Sequence, residues 1–311
     1  MVIAYFCFLS VRNDITGDLG KIGQIVFSEQ YHLQEKFQTN DFETNNIEWC
    51  DVNSFHYLRL LFLGDSFTRG SVYADYLSKN LNQKAAKFFA TNIESPEQTF
   101  IALCNSGEEV PRVVILESVE RSCFMRLSSL DFRTQVIPNA SVYKPYMDKQ
   151  TTFTTYYKNQ LINNKAVRHL QLGKSMFSCP KKEKELYFYY EDLLFPTEEQ
   201  MQIANSKLDT LFCFAKEHGI ILFYVVAADK YDVYQEFVIG NKYPEKRALE
   251  AFAKYDDNPY FVNTKDILLK KARQGVTDLY YADDTHWSPI GAKIVAEEIA
   301  RRIDSLGIFK N

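Results

Sequence analysis

The hydrophobic pattern along the chain alternates between short apolar runs and longer amphipathic stretches. A run at 57–63, Tyr-Leu-Arg-Leu-Leu-Phe-Leu, ends at Gly64 and reads as a buried strand. The pattern after Ser66 turns helical through Tyr73, Tyr76, Leu77 and Leu81. Residues 86–91 read as a second strand, 96–104 as a helix, and Arg112-Val-Val-Ile-Leu116 as a third strand. The same rhythm resumes late in the chain. Residues 204–218 form an amphipathic pattern stopped by Gly219, where glycine supplies a left-handed cap and His218 is the last helical position. A strand at 220–226, a shorter one at 260–262 and a closing helix at 290–303 follow. Strands alternating with helices imply parallel pairing and a layered α/β domain.

Two stretches break the rhythm. The segment 1–54 is polar and punctuated by Gly17, Gly20 and Gly23, and reads as an irregular N-terminal extension to a domain at 55–311. Its first ten residues are apolar but too short to span a bilayer, which takes about 20 residues. They suit either a core strand or the tail of a signal or anchor. Between about 125 and 201 lie Tyr143, Tyr146, Tyr156, Tyr157, Tyr187, Phe188, Tyr189 and Tyr190. This region reads as an insertion hung on the sheet, where insertions commonly shape substrate sites.

Composition narrows the chemistry. Of 311 residues, 46% are hydrophobic and 24% charged, which is ordinary globular usage. The net charge of −4, with no cluster of Lys and Arg, argues against nucleic-acid binding. The 20 Tyr and 24 Phe suit a Phe-rich core with Tyr at its margins, or a groove that stacks on sugar rings. The six cysteines show no CxxC spacing, so neither zinc nor thioredoxin-like chemistry is indicated. Buried free thiols are the expectation.

Two motifs carry candidate chemistry. Leu63-Gly-Asp-Ser-Phe-Thr68 sits between a strand and a helix, which puts Ser66 at a strand's carboxyl end. There the Ser66 N–H can face an oxyanion, and Gly64 permits a tight turn. The second motif is Ala282-Asp-Asp-Thr-His-Trp-Ser-Pro-Ile-Gly291. A histidine with carboxylates two and three residues before it can be oriented by one while its other ring nitrogen serves a hydroxyl nucleophile. His286 is then the base and Asp284 its orienter, with Asp283 as the alternative. His32, His56, His169 and His218 have no such setting.

Together the motifs resemble the SGNH (GDSL-like) hydrolase superfamily. Gly64-Asp-Ser-Phe67 and Asp284-Thr-His-Trp287 are most similar to the AlgX/AlgJ group of alginate O-acetyltransferases and related DHHW proteins. Glu117-Ser-Val-Glu-Arg121 and Asp229-Lys-Tyr-Asp-Val-Tyr234 extend that resemblance, which runs from about Leu58 to Ile303 apart from the insertion. It implies a three-layer α/β/α SGNH-like fold with a central parallel sheet and the Tyr-rich insertion. It also implies acetyl transfer to a carbohydrate through an acylated Ser66, with Trp287 at the substrate. The alternatives are a deacetylating esterase of the same fold and a silent glycan-binding relative. The implied partners are a polysaccharide or oligosaccharide acceptor and an acetyl donor delivered by a membrane protein, in the cell envelope; no cofactor or metal is called for. Two departures stand out. The hydrolase Gly-x-Asn-Asp pattern is absent after the third strand, which makes Arg121 the candidate oxyanion donor in place of asparagine. Its competing role is a salt bridge to Glu117 or Glu120. The Ser-before-His order follows the hydrolases rather than the alginate enzymes.

Overall fold

The computed structural model describes residues 17–23, 25–28, 31, 34–37, 47–49, 58–70, 72–89, 95–107, 109–135 and 166–309. The expectations for residues 1–10, for Cys7 and Cys50, and for Tyr143, Tyr146, Tyr156 and Tyr157 lie outside them.

The apolar runs form a six-stranded parallel sheet. Its strands are β1 (Ile47–Trp49), β2 (Leu60–Gly64), β3 (Ala85–Phe89), β4 (Val113–Val119), β7 (Ile221–Ala227) and β8 (Phe261–Asn263), in the spatial order β1-β3-β2-β4-β7-β8. Every residue of β2 and β4 is buried, as expected of strands covered by helices on both faces. The register sets Leu63 beside Leu116, and Val119 beside Ala227. The carboxyl ends of β2, β4 and β7 therefore converge at one edge, where ligands bind in open α/β sheets.

Helices cover both faces. On one, α3 (Tyr73–Leu81) packs with α9 (Pro289–Ser305), which in turn meets α8 (Thr264–Arg273). On the other lie α4 (Pro96–Asn105), α5 (Glu120–Ser128) and α6 (Glu198–Glu217). The arrangement is α/β/α, as the sequence implied. Helix α6 starts six residues earlier than its apolar periodicity suggested. A capping box explains this: Thr197 Oγ1 accepts the Gln200 N–H while Gln200 Oε1 accepts the Thr197 N–H. His218 caps that helix and Gly219 follows at φ +71°, as read from the sequence.

Two regions are more ordered than their composition indicated. Within the extension, α1 (Asp18–Gly23) packs against the rest of the chain, and Ile47–Trp49 pairs as an edge strand with β3. The described part of the insertion contains an antiparallel pair, β5 (Val167–Gln171) and β6 (Glu185–Tyr189). That pair meets both α1 and α7 (Lys230–Tyr234), with the Phe188 ring stacked on Tyr231 at 4.7 Å. Helix α5 continues to Ser128, past the break in rhythm expected at about 125.

Among the described residues, no helix is long and apolar enough to cross a membrane. Cys104, Cys123, Cys179 and Cys213 are free thiols, the first three buried.

Candidate active site

The Gly-Asp-Ser turn joins β2 to a five-residue helix, α2 (Ser66–Gly70). Buried carboxylates shape it. Asp65 accepts the Phe67 N–H at 3.2 Å with one oxygen, and the Val119 N–H at 3.1 Å and Arg126 Nη1 at 2.8 Å with the other. Burial works against its charge, yet Arg126 keeps Asp65 below the usual carboxylate range. Glu117, inside β4, accepts the Asp65 N–H, the Thr68 N–H and the Thr68 hydroxyl at 3.1, 3.1 and 2.9 Å. Burial, reinforced by Asp65, pushes its pKa well up. A side chain at Gly64 would begin 2.0 Å from Thr68 Oγ1 and 2.5 Å from Glu117 Oε2, so only glycine fits. The amides of Phe67 and Thr68 are thus committed to carboxylates, and Ser66 stands part-buried at the carboxyl end of β2.

The second motif is a loop drawn back on itself. Tyr281 N–H donates to His286 O at 3.2 Å, Ser288 N–H donates to Leu279 O at 3.2 Å, and Ser288 caps α9 ahead of Pro289. His286 Nδ1 lies 2.5 Å from Asp284 Oδ1, which also accepts the His286 N–H at 3.0 Å. Burial disfavours the imidazolium, but the Asp284 carboxylate, helped by Asp18, outweighs it and holds His286 up at about 8. Asp284 is correspondingly lowered by His286 despite its own burial. Asp283 is fully buried beside α1, where its carbonyl accepts the Gly20 N–H at 3.1 Å.

The two motifs meet through Phe67. Its ring lies 4.9 Å from the His286 ring and 4.8 Å from that of Trp287. His286 Nε2 is buried and makes no hydrogen bond among the described residues, so it is not bonded to the Ser66 hydroxyl in this conformation.

Trp287 does not face a ligand. It is 1% exposed and wedged between Phe67 and Tyr73, so it backs the His286 loop instead of offering a substrate surface. The resemblance implies a place for Trp287 at the substrate, but here the ring fills core.

Arg121 also has other partners than expected. Its Nη1 lies 2.7 Å from Asp229 and 3.6 Å from Asp192, and its guanidinium sits 5.6 Å from the Tyr189 ring centroid. Glu117 belongs to the Gly-Asp-Ser turn, and Glu120 pairs with Lys246 at 2.9 Å. The Arg121 charge is nonetheless felt at both Asp65 and His286. Beside it opens a cavity of about 110 Å³, lined in part by Met125, Leu194 and Phe195. Glu120, Arg121, Gln200 and Lys246 complete a lining that mixes charge with apolar surface and contains no tyrosine.

Three contributors escaped the sequence reading. Arg126, five residues beyond Arg121 on α5, is the cation that reaches the Gly-Asp-Ser turn. Lys230 donates to the carbonyls of Tyr281, Ala282 and Asp284 at 2.7, 2.9 and 3.1 Å, tying down the His286 loop. Burial lowers its pKa to about 8 even though Asp283, Asp18 and Asp284 oppose the shift. Asp18, from the extension, accepts the Thr285 N–H and hydroxyl at 2.9 and 2.6 Å. Asp18, Asp284 and His286 offer ligand atoms within 4.8 Å of one another, close enough to hold a cation. Their hydrogen bonds to Thr285, to each other and within the loop already engage these groups.

Residues 186–310 match the SGNH hydrolase-like domain of the acetyltransferase AlgX. The AlgX-like stretch holds Lys230, Asp284, His286 and Trp287; Ser66 lies outside it. It is narrower than the span from Leu58 that the motifs suggested. No curated protein and no solved structure matches the chain significantly.

Proposed function

We propose that this chain is a serine-dependent acyltransferase that moves an acetyl group onto a carbohydrate hydroxyl. The observation that carries the reading is His286, gripped at Nδ1 by Asp284 and left without a partner at Nε2. An imidazole so held is fixed in the tautomer that presents a lone pair at Nε2, as a general base requires. Ser66, whose neighbour Phe67 packs on the imidazole, supplies the nucleophile.

In the first half-reaction Ser66 Oγ attacks the donor's acetyl carbonyl as Nε2 takes the hydroxyl proton. The imidazolium, stabilised by Asp284, returns that proton to the leaving group, and the acetyl group stays on Ser66. In the second half the acceptor sugar hydroxyl gives its proton to Nε2 and attacks the acetyl-serine, and Ser66 regains a proton as it leaves. The Ser66 N–H faces the developing oxyanion, and Arg121 supports it from the rim. Arg121 acts mainly through its charge, because one arm is committed to Asp229.

The AlgX likeness favours a polysaccharide acceptor, a donor supplied by a membrane partner and a place in the cell envelope. The position of Ser66 before His286, and outside the AlgX-like stretch, favours the second reading, a deacetylating esterase in which water replaces the sugar. Incubation with p-nitrophenyl acetate, with and without an oligosaccharide, separates the two. Transfer predicts an acetylated oligosaccharide by mass spectrometry; an esterase releases acetate alone. Absence of both products would count against acyl chemistry altogether.

A further inference from the structure

We propose that the N-terminal segment 17–23 is part of the catalytic centre, with Asp18 as a second carboxylate that positions the His286 loop. The inference rests on the reading of His286 as the base and adds to it a residue from outside both motifs.

The docking is specific. Asp18 N–H donates to Asp284 Oδ2 at 3.1 Å, so the oxygen of Asp284 that does not face His286 is also held. The Asp18 carboxylate accepts both the N–H and the hydroxyl of Thr285, the residue between Asp284 and His286. One Asp18 oxygen stands 3.9 Å from His286 Nδ1. Gly20 N–H donates to Asp283 O. Gly17, at φ +72°, lies so close that a Cβ there would sit 2.1 Å from that same carbonyl. The segment therefore contacts Asp283, Asp284, Thr285 and His286 in succession.

The charges around this point are few. Asp284, Asp18 and Arg121 act on His286, and Lys230 faces Asp18, Asp283 and Asp284. Tyr189, from β6, feels both Asp18 and Asp284 and is held in its neutral form. Burial and the nearby Asp284 raise Asp18 to about 6, so it is ionised at neutral pH and favours the imidazolium. Asp18 thus holds the loop mechanically through Thr285 and biases the ring electrostatically.

The test compares Asp18→Asn with the unaltered full chain. Asparagine keeps the backbone N–H to Asp284 and an acceptor for the Thr285 N–H; it loses the charge and the second oxygen, which accepts the Thr285 hydroxyl. His286 titration is followed by NMR of its ring nitrogens, and p-nitrophenyl acetate turnover is measured across pH. The expected result is a His286 midpoint lower by about half a pH unit, with the acid limb of kcat/KM displaced equally. Turnover below pH 7, relative to the plateau, then rises about threefold. Thr285→Val keeps the charge and the backbone N–H bond but removes the hydroxyl's bond to Asp18; it should lower kcat and leave the midpoint in place. A merely structural Asp18 would lower rates at every pH without moving the midpoint, and an unmoved midpoint in Asp18→Asn overturns the proposal. A midpoint that moves while the rate profile stays put counts against His286 as the base and leaves the Asp18–His286 coupling standing.

Discussion

Asp284 holds His286 twice, through the ring nitrogen Nδ1 at 2.5 Å and through the backbone N–H at 3.0 Å, both from the same carboxylate oxygen. This arrangement fixes the ring's orientation and its tautomer together. Asp284→Asn keeps the shape but removes the charge that raises His286, and an amide can present its NH₂ to Nδ1 and select the wrong tautomer. Turnover should fall on the order of 10³–10⁴-fold, as for the equivalent change in serine proteases. The acid limb of kcat/KM, at about pH 8 in the unaltered protein, should move lower.

Stability should pass through a minimum near pH 8. His286 is raised from 6.5 to about 8 in the folded state, so its contribution is complete below 6.5 and is lost as pH rises through 8. Lys230 is lowered from 10.5 to about 8, so its contribution is present above 10.5 and is lost as pH falls through 8. Urea unfolding at a series of pH values should show the dip. Lys230→Met should flatten its alkaline side, and Asp284→Asn its acid side.

Lys230→Met should also loosen the loop. It leaves the carbonyls of Tyr281, Ala282 and Asp284 without their donor, at about 1–3 kcal/mol for each buried group that finds no water. Amide exchange across 281–286 should accelerate more than exchange in the sheet, and kcat should fall with it. Uniform exchange across the domain would argue against a local clamp.

Arg121 calls for a conservative probe. Arg121→Ala strands Asp192, leaves Asp229 with Lys246 alone and should cost about 3–5 kcal/mol of stability, so lost activity would be uninformative. Arg121→Lys keeps the charge on Asp229 without the planar fork. Because Arg121 acts mainly through its charge, the folded Arg121→Lys variant should keep most of its activity; a drop of about tenfold or more in kcat with KM unchanged would instead assign its fork a direct bond to the oxyanion.

The fold was largely legible because its strands are continuous apolar runs and its helices carry strong end signals. Gly219 and Ser288-Pro289 mark such ends. Asp284 and His286 were legible for a related reason, since they lie two residues apart and meet within one loop. What the sequence hid is long-range. Asp18 and Thr285 are 267 positions apart, and nothing local in a glycine-punctuated polar segment marks it as docking on the His286 loop. Arg121 and Arg126 look alike on α5, and helix geometry sends one to Asp229 and the other to Asp65. The motif likeness implies a substrate role for Trp287, whereas Phe67 and Tyr73 pack against it in the core. The β5–β6 pair went unread because its aromatics alternate weakly and its partner contacts lie on α1 and α7.

The central claim is that Ser66 carries the acetyl group between donor and acceptor. The most direct measurement is rapid quenching of the protein with p-nitrophenyl acetate, followed by peptide mass mapping. The account predicts one acetyl group on the peptide holding Ser66, lost on adding acceptor, and neither labelling there nor turnover in Ser66→Ala. Acetyl turnover at full rate in Ser66→Ala, or stable acetylation elsewhere with Ser66 untouched, would contradict it.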